Sequence, residues 1–117
     1  MKILLDNCVD VRAKGLFVGR DVAHVIAMGW AEHSNGKLLR AAADAGFGVV
    51  VTVDKNIRYQ QNLALTPVSI LELDVARNRM QELEALRVHL DDAISKCAMF
   101  RYVSVRADGV RETLFAM

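Results

Sequence analysis

Little in this chain marks it as a member of a specialised class. Its two cysteines, Cys8 and Cys97, lie too far apart for the spacings of zinc or redox motifs, so reduced thiols in the cytoplasm are expected. One proline and seven glycines among 117 residues leave no linker, repeat or low-complexity tract. A single domain over residues 1–117 is therefore expected, large enough to bury roughly two thirds of its unfolded surface. Fifteen Lys+Arg against 14 Asp+Glu leave a formal charge of +1, so the whole-chain field gives no reason to expect nucleic acid. A polyanion would have to be held by a local cluster of cations. No apolar run approaches the ~20 residues of a membrane span. The opening Met1-Lys2-Ile3-Leu4-Leu5 meets an aspartate too soon to serve as a signal peptide.

The apolar pattern switches between short β-type runs and helical spacing, the signature of βαβ units and an α/β fold. Strands are predicted at 2–5, 21–25, 49–53, 68–73 and 102–106, with helices at 9–18, 36–45 and about 80–96. In the last of these, Met80, Leu83, Leu86, Leu90, Ala93, Ile94 and Cys97 share one face, as a core-facing helix requires. Gly46 suits a helix C-cap, and Asp108-Gly109 reads as a hairpin turn that returns the tail as an antiparallel edge strand. Such an edge is a candidate contact for a second copy of the chain. The expected architecture is a central, mostly parallel sheet with helices on both faces and a C-terminal hairpin.

Two predicted strands run into an aspartate. Ile3-Leu4-Leu5 ends at Asp6, and Val49-Val50-Val51-Thr52-Val53 ends at Asp54. Ligands of open α/β sheets bind outside the carboxyl ends of the strands. If the strands run parallel, the loops 6–10, 26–35, 54–62 and 74–79 share one rim. They bring carboxylates (Asp6, Asp54, with Asp10, Glu32 and Asp74), amides (Asn7, Asn35, Asn56, Asn62) and cations (Lys55, Arg58, Arg77, Arg79) to one surface. Carboxylates among cations and amides suit metal-assisted chemistry on a phosphodiester. Two close aspartates can share a divalent cation, and Mg²⁺ is usually held by one or two carboxylates plus water.

Each candidate also has a structural reading. Asp6 and Asp54 can cap the turns that follow them, and Asp10 can serve a helix dipole. Asn35, in Ser34-Asn35-Gly36, is either a helix N-cap or a contact to ligand or substrate. Asn7 is a turn residue or a partner for a metal-bound water. Tyr59-Gln60-Gln61-Asn62 offers an aromatic face and amides to a nucleic acid, or forms a solvated helical turn. Arg77 and Arg79 are phosphate candidates. His33 lies on the rim, while His24 and His89 read as structural or solvated, and Trp30 as packing against the sheet.

Three stretches, Ile3-Leu4-Leu5-Asp6, Met28-Gly29-Trp30 followed by Asn35-Gly36-Lys37-Leu38-Leu39, and Val51-Thr52-Val53-Asp54-Lys55-Asn56-Ile57 running into Tyr59-Gln60-Gln61-Asn62, resemble the compact PIN-like proteins. That family comprises predicted nucleases, often the toxin member of bacterial toxin–antitoxin pairs, and the likeness spans residues 1 to about 79. The resemblance implies a PIN-like α/β domain and Mg²⁺- or Mn²⁺-dependent cleavage of RNA, with Asp6 and Asp54 as the matching acids. It also implies a cognate antitoxin as partner. Asn35 and Asn7 stand where acids are common in the family, and two neutral amides should weaken cation binding. A binding module that grips RNA or an antitoxin without cutting is thus the first alternative. A receiver-type phosphoacceptor domain is a remote one, since receivers want an acidic pair after strand one, Ser or Thr ending strand four and Lys ending strand five. Asp6-Asn7, Leu73-Asp74 and Arg106 stand there instead.

Overall fold

The computed structural model describes residues 1–117. Six strands, β1 (Lys2–Leu5), β2 (Val22–His24), β3 (Phe47–Thr52), β4 (Ser69–Leu73), β5 (Phe100–Arg106) and β6 (Gly109–Ala116), form one sheet in the order β2-β1-β3-β4-β5-β6. The first five run parallel and β6 is antiparallel to β5. The helices are α1 (Val25–Met28), α2 (Asn35–Asp44), α3 (Ile57–Gln60), α4 (Met80–Glu84) and α5 (Arg87–Cys97), with 3-10 helices at Val11–Leu16 and Leu63–Leu65. The radius of gyration, 12.6 Å, is close to the ~13 Å of a single domain of about this size.

The middles of the central strands are runs of Val, Ile and Leu because both faces of the sheet are covered. Alternation assigns the faces. Ile3, Leu5, Val49, Val51, Leu71, Leu73, Val103 and Val105 pack against the first 3-10 helix, α4 and α5, in a core that includes Leu83, Leu90 and Ile94. Leu4, Val50, Ile70 and Tyr102 pack on the other face against Leu38, Leu39 and Ala42 of α2, with Ile57 and Leu63. No helix is long and apolar enough to cross a membrane.

The sequence pattern departs from the structure in ways that have local causes. The helix expected at 9–18 is a 3-10 segment, 11–16, capped by the Asp10 carboxylate on the Arg12 N–H. Gly15 within it weakens any α-helical alternative. The helix expected at 80–96 divides into α4 and α5 around Ala85-Leu86, where Leu86 N–H bonds Leu83 O and His89 N–H bonds Leu86 O in i, i+3 fashion. The Leu83, Leu86, Leu90 spacing suits a tightened turn as well as a continuous helix. His24 ends β2 instead of lying within it, because its Nδ1 accepts the Ile26 N–H and starts α1. Ser34, not Asn35, caps α2. The Asp108-Gly109 turn is present, with Gly109 at φ 128°, and Gly46 ends α2 at φ 86°.

Candidate active site

The chain begins at β1, moves to β2 on one side, and then crosses to β3 on the other side of β1. The carboxyl ends of β1 and β3 therefore flank the switch point, where an open α/β sheet leaves a crevice. Asp6 follows β1 directly, and its N–H bonds Val51 O at 2.9 Å, extending the ladder by one residue. Since Leu4 pairs with Val50 and Leu5 with Val51, Asp6 stands level with Thr52.

Thr52 joins the two aspartates. Its Oγ1 donates to Asp6 Oδ2 at 3.0 Å and accepts the Asp54 N–H at 3.0 Å. Asp6 Oδ1 also accepts the Asn7 N–H at 2.8 Å, and Asp54 Oδ1 accepts the Asn56 N–H at 2.9 Å. Each carboxylate is thus oriented by its own turn, and both are half-buried. The turns take one oxygen of each carboxylate, and at Asp6 the second oxygen accepts the Thr52 hydroxyl, whereas Asp54 keeps its second oxygen clear of its own turn. Cys8 Sγ lies 3.5 Å from Asp6 Oδ2 and 3.4 Å from Thr52 Oγ1. Burial, aided by the Asp6 charge, pushes its thiol pKa up, against the opposing pull of the Thr52 bond, so Cys8 sits there as a neutral neighbour. The 6–10 loop is tied down from two sides, by His24 Nε2 donating to Val9 O at 2.8 Å and by Asn78 Nδ2 donating to Cys8 O at 2.6 Å. Because Nδ1 of His24 accepts, the imidazole is neutral and structural.

No three His, Cys, Asp or Glu side chains converge on a point that would hold a metal ion. Asp6 and Asp54 supply one carboxylate each from the ends of adjacent strands, a donor set of the kind that fits Mg²⁺ or Mn²⁺ completed by water and phosphate oxygens but not a closed all-protein cage. Asn35 does not enter this pair. Its Nδ2 donates to Gln60 Oε1 at 3.0 Å, linking the start of α2 to the end of α3.

The candidate RNA-binding residues separate into groups. Asn7, Asn56, Tyr59, Gln60 and Asn62 are exposed on the rim loops, and Tyr59 is 81% exposed. Asn62 Oδ1 is taken by the Ala64 N–H at 3.2 Å, and Gln61 and Asn62 share a groove with Gly36 and Arg40. Arg77 and Arg79 line a second shallow groove with Gln81 and Glu82, their side chains without protein partners. Asp10 is bound by Arg12 through a forked pair, which holds its pKa at about 2, and it belongs to its helix cap.

Arg58 has partners within the protein. Its Nε donates to Tyr102 Oη at 3.4 Å, its Nη2 to Glu112 Oε1 at 3.0 Å, and its guanidinium stacks 4.9 Å from the Tyr102 ring centroid. It is turned toward the sheet, with two of its nitrogens engaged.

Arg58 meets a group the sequence pattern did not reveal. Thr52 pairs with Glu72, Glu72 with Ser104, and Ser104 with Glu112, so with Asp6 a polar row crosses the sheet along the carboxyl ends of the strands. Glu72 is 2% exposed, accepts the Ser104 hydroxyl at 3.0 Å and the Tyr102 hydroxyl, and has Arg58 Nε at 3.8 Å. A charge that deep persists only when paired and hydrogen-bonded, and here every buried polar side-chain atom has a partner.

A second ionic centre lies beyond the row. Asp74, its side chain 6% exposed, takes Lys55 Nζ at 2.9 Å, Arg106 Nε at 2.6 Å and Arg111 Nη1 at 2.9 Å. Burial acts to raise its pKa, but the bonds from Lys55 and Arg106 outweigh burial and hold it down at about 2. A folded-state pKa below the ordinary 3.8 means the stabilisation is complete above that value and is lost as pH falls toward 2. Urea unfolding between pH 5 and pH 2 should show a fall in midpoint for the wild type that is smaller in Asp74→Asn. Equal falls would show that the three cations do not stabilise the ionised carboxylate.

No protein-family model, no curated protein and no solved structure matches the chain.

Proposed function

We propose that the protein is a metal-dependent ribonuclease of PIN-like type, the toxin component of a cytoplasmic toxin–antitoxin pair. The observation that carries this reading is the Asp6–Thr52–Asp54 link at the switch point between β1 and β3. Asp6 and Asp54 would hold Mg²⁺ or Mn²⁺. When bound, such an ion polarises a phosphoryl oxygen and generates hydroxide at neutral pH. Thr52 fixes the Asp6 carboxylate and the backbone of Asp54, and the neutral Cys8 thiol adds no competing charge. Tyr59 offers a stacking face to a base, and Asn7, Asn56 and the amides of 60–62 offer hydrogen bonds to single-stranded RNA. Asn35 positions α3 through Gln60 and so acts on the site from a distance. The outer edge of β6, unpaired in the sheet, is the place for an antitoxin strand or a second copy of the chain.

A non-cleaving RNA- or antitoxin-binding module is the second reading, and the absence of a converging third acid favours it. The receiver alternative shares the strand order, which is one of the two common doubly wound orders. Yet Asp74 and Arg106, at the ends of β4 and β5, are engaged with each other.

Mn²⁺ titration of the wild type and Asp6→Asn by calorimetry tests the metal assignment. The wild type should bind and the variant should lose at least about tenfold in affinity, since affinity rests on ligand charge. Equal binding by both would remove Asp6 from the metal site.

A further inference from the structure

We propose that Lys55, Arg106 and Arg111, gathered around the buried Asp74, form a phosphate-binding patch that carries a single-stranded RNA from the Asp6/Asp54 crevice toward the β5–β6 hairpin. The proposal rests on the rim being a polynucleotide surface and does not require cleavage.

The patch is assembled by the fold. Asp74 follows β4, Arg106 ends β5, Arg111 lies early in the antiparallel β6, and Lys55 is the residue after Asp54. All four therefore sit on the rim that holds the candidate acids, with Lys55 continuous with it. Positions in the sequence do not suggest this, because Asp74 is 32 residues from Arg106 and 37 from Arg111.

The electrostatics are directional. The carboxylate is 6% exposed, whereas the Lys55, Arg106 and Arg111 side chains are 50%, 48% and 43% exposed. Asp74 thus acts as an internal counter-ion that holds three cations facing outward. Their donors are mostly unused. Arg106 gives only Nε to Asp74 and Arg111 only Nη1, while a guanidinium carries five N–H donors and an ammonium three. Both Nη groups of Arg106 remain for a phosphate, to which arginine bonds bidentately. Glu112 bonds Arg58 at 3.0 Å and lies 4.0 Å from Arg111 Nε, so it offsets part of the Arg111 charge but leaves Arg111 Nη2, both Nη groups of Arg106 and the Lys55 ammonium without a second acid partner. Asp108, in the hairpin turn, is the remaining exposed acid nearby. A cation cluster preorganised around a buried acid loses less side-chain freedom on binding than free lysines and arginines would.

The test is fluorescence anisotropy with a labelled single-stranded RNA, in chelator, across a salt series. It compares the wild type, Arg106→Gln/Arg111→Gln, Lys55→Gln, Asp74→Asn, and a control pair, Arg20→Gln/Lys96→Gln, at the opposite end of the parallel strands. The double variant should bind about tenfold more weakly, and its slope of log K against log salt should shrink by about 1 to 1.5, since each phosphate contact to a single strand contributes about 0.7. Lys55→Gln should shrink it by about 0.7. Asp74→Asn should bind more tightly, because it removes the counter-ion, whereas damage to the fold would weaken binding. The control pair should leave the slope unchanged. An unchanged slope in the double variant, no binding of RNA by the wild type at low salt, or a preference for an acidic polypeptide over RNA would each overturn the proposal. RNA binding lost with the patch but without cleavage under any metal would leave the patch standing and remove the nuclease reading. Cleavage with an unchanged slope would do the reverse.

Discussion

Asp54→Ala is expected to lower metal-dependent RNA cleavage by more than about a hundredfold while the protein stays folded. A bound metal ion contributes several kcal/mol to stabilising developing charge, and each 1.36 kcal/mol is about tenfold in rate. The structural cost is small by comparison. Asp54 is half-buried, and alanine removes one carboxylate acceptor from the Asn56 N–H, a capping-type bond worth about 0.5 to 2 kcal/mol. Asp54→Asn separates the two contributions, because it keeps an acceptor for that N–H and loses the charge. Initial rates on end-labelled RNA in Mg²⁺ and Mn²⁺, beside circular dichroism of each variant, check the prediction. Cleavage by Asp54→Asn at the wild-type rate would mean that its charge plays no part.

The second large effect is on stability. Arg58→Ala should cost about 3 to 5 kcal/mol, because it strands the Glu72 carboxylate in the interior with only hydroxyl partners. The corresponding fall in Tm is more than about 10 °C for a domain of this size. The double variant Arg58→Met/Glu72→Gln should recover much of that loss, since replacing both members of a buried pair is far less costly than removing one. Urea midpoints at constant m-value provide the reading. A loss below about 0.5 kcal/mol, together with weakened RNA binding, would return Arg58 to the surface role that its place in the sequence suggests.

How far the site could be read in advance follows from the range of each interaction. Asp6 and Asp54 were legible because each closes a short apolar run, a signal contained within six residues. Thr52 lay inside that run and counted there as a β-branched strand residue, so the hydroxyl that joins the two acids was hidden by its own propensity. Glu72 was the one acid inside the predicted strand at 68–73, flanked by Leu71 and Leu73. That interruption was a usable sign of a buried charge, but its partners on β5 and α3 depend on strand order. Arg58 looked like a rim cation because its neighbours are polar, and only the one-turn helix α3 shows which way it faces. Single turns such as α1 and α3 leave no periodic trace. The Asp74 centre was beyond reach for the same reason as the hairpin register, since it joins side chains brought together only by the pairing of β4, β5 and β6. Both faces of the sheet, by contrast, follow from alternation in the strands and from the stripe at 83–97.

The nuclease reading itself is decided most directly by incubating the purified protein with a mixture of end-labelled RNAs in Mg²⁺, in Mn²⁺ and in chelator. Cleavage that appears with either metal and vanishes in chelator is the predicted result, and it would also reveal the substrate class. A folded protein that binds RNA yet cuts none of it under any of these conditions would contradict the account and leave a binding module on the same rim.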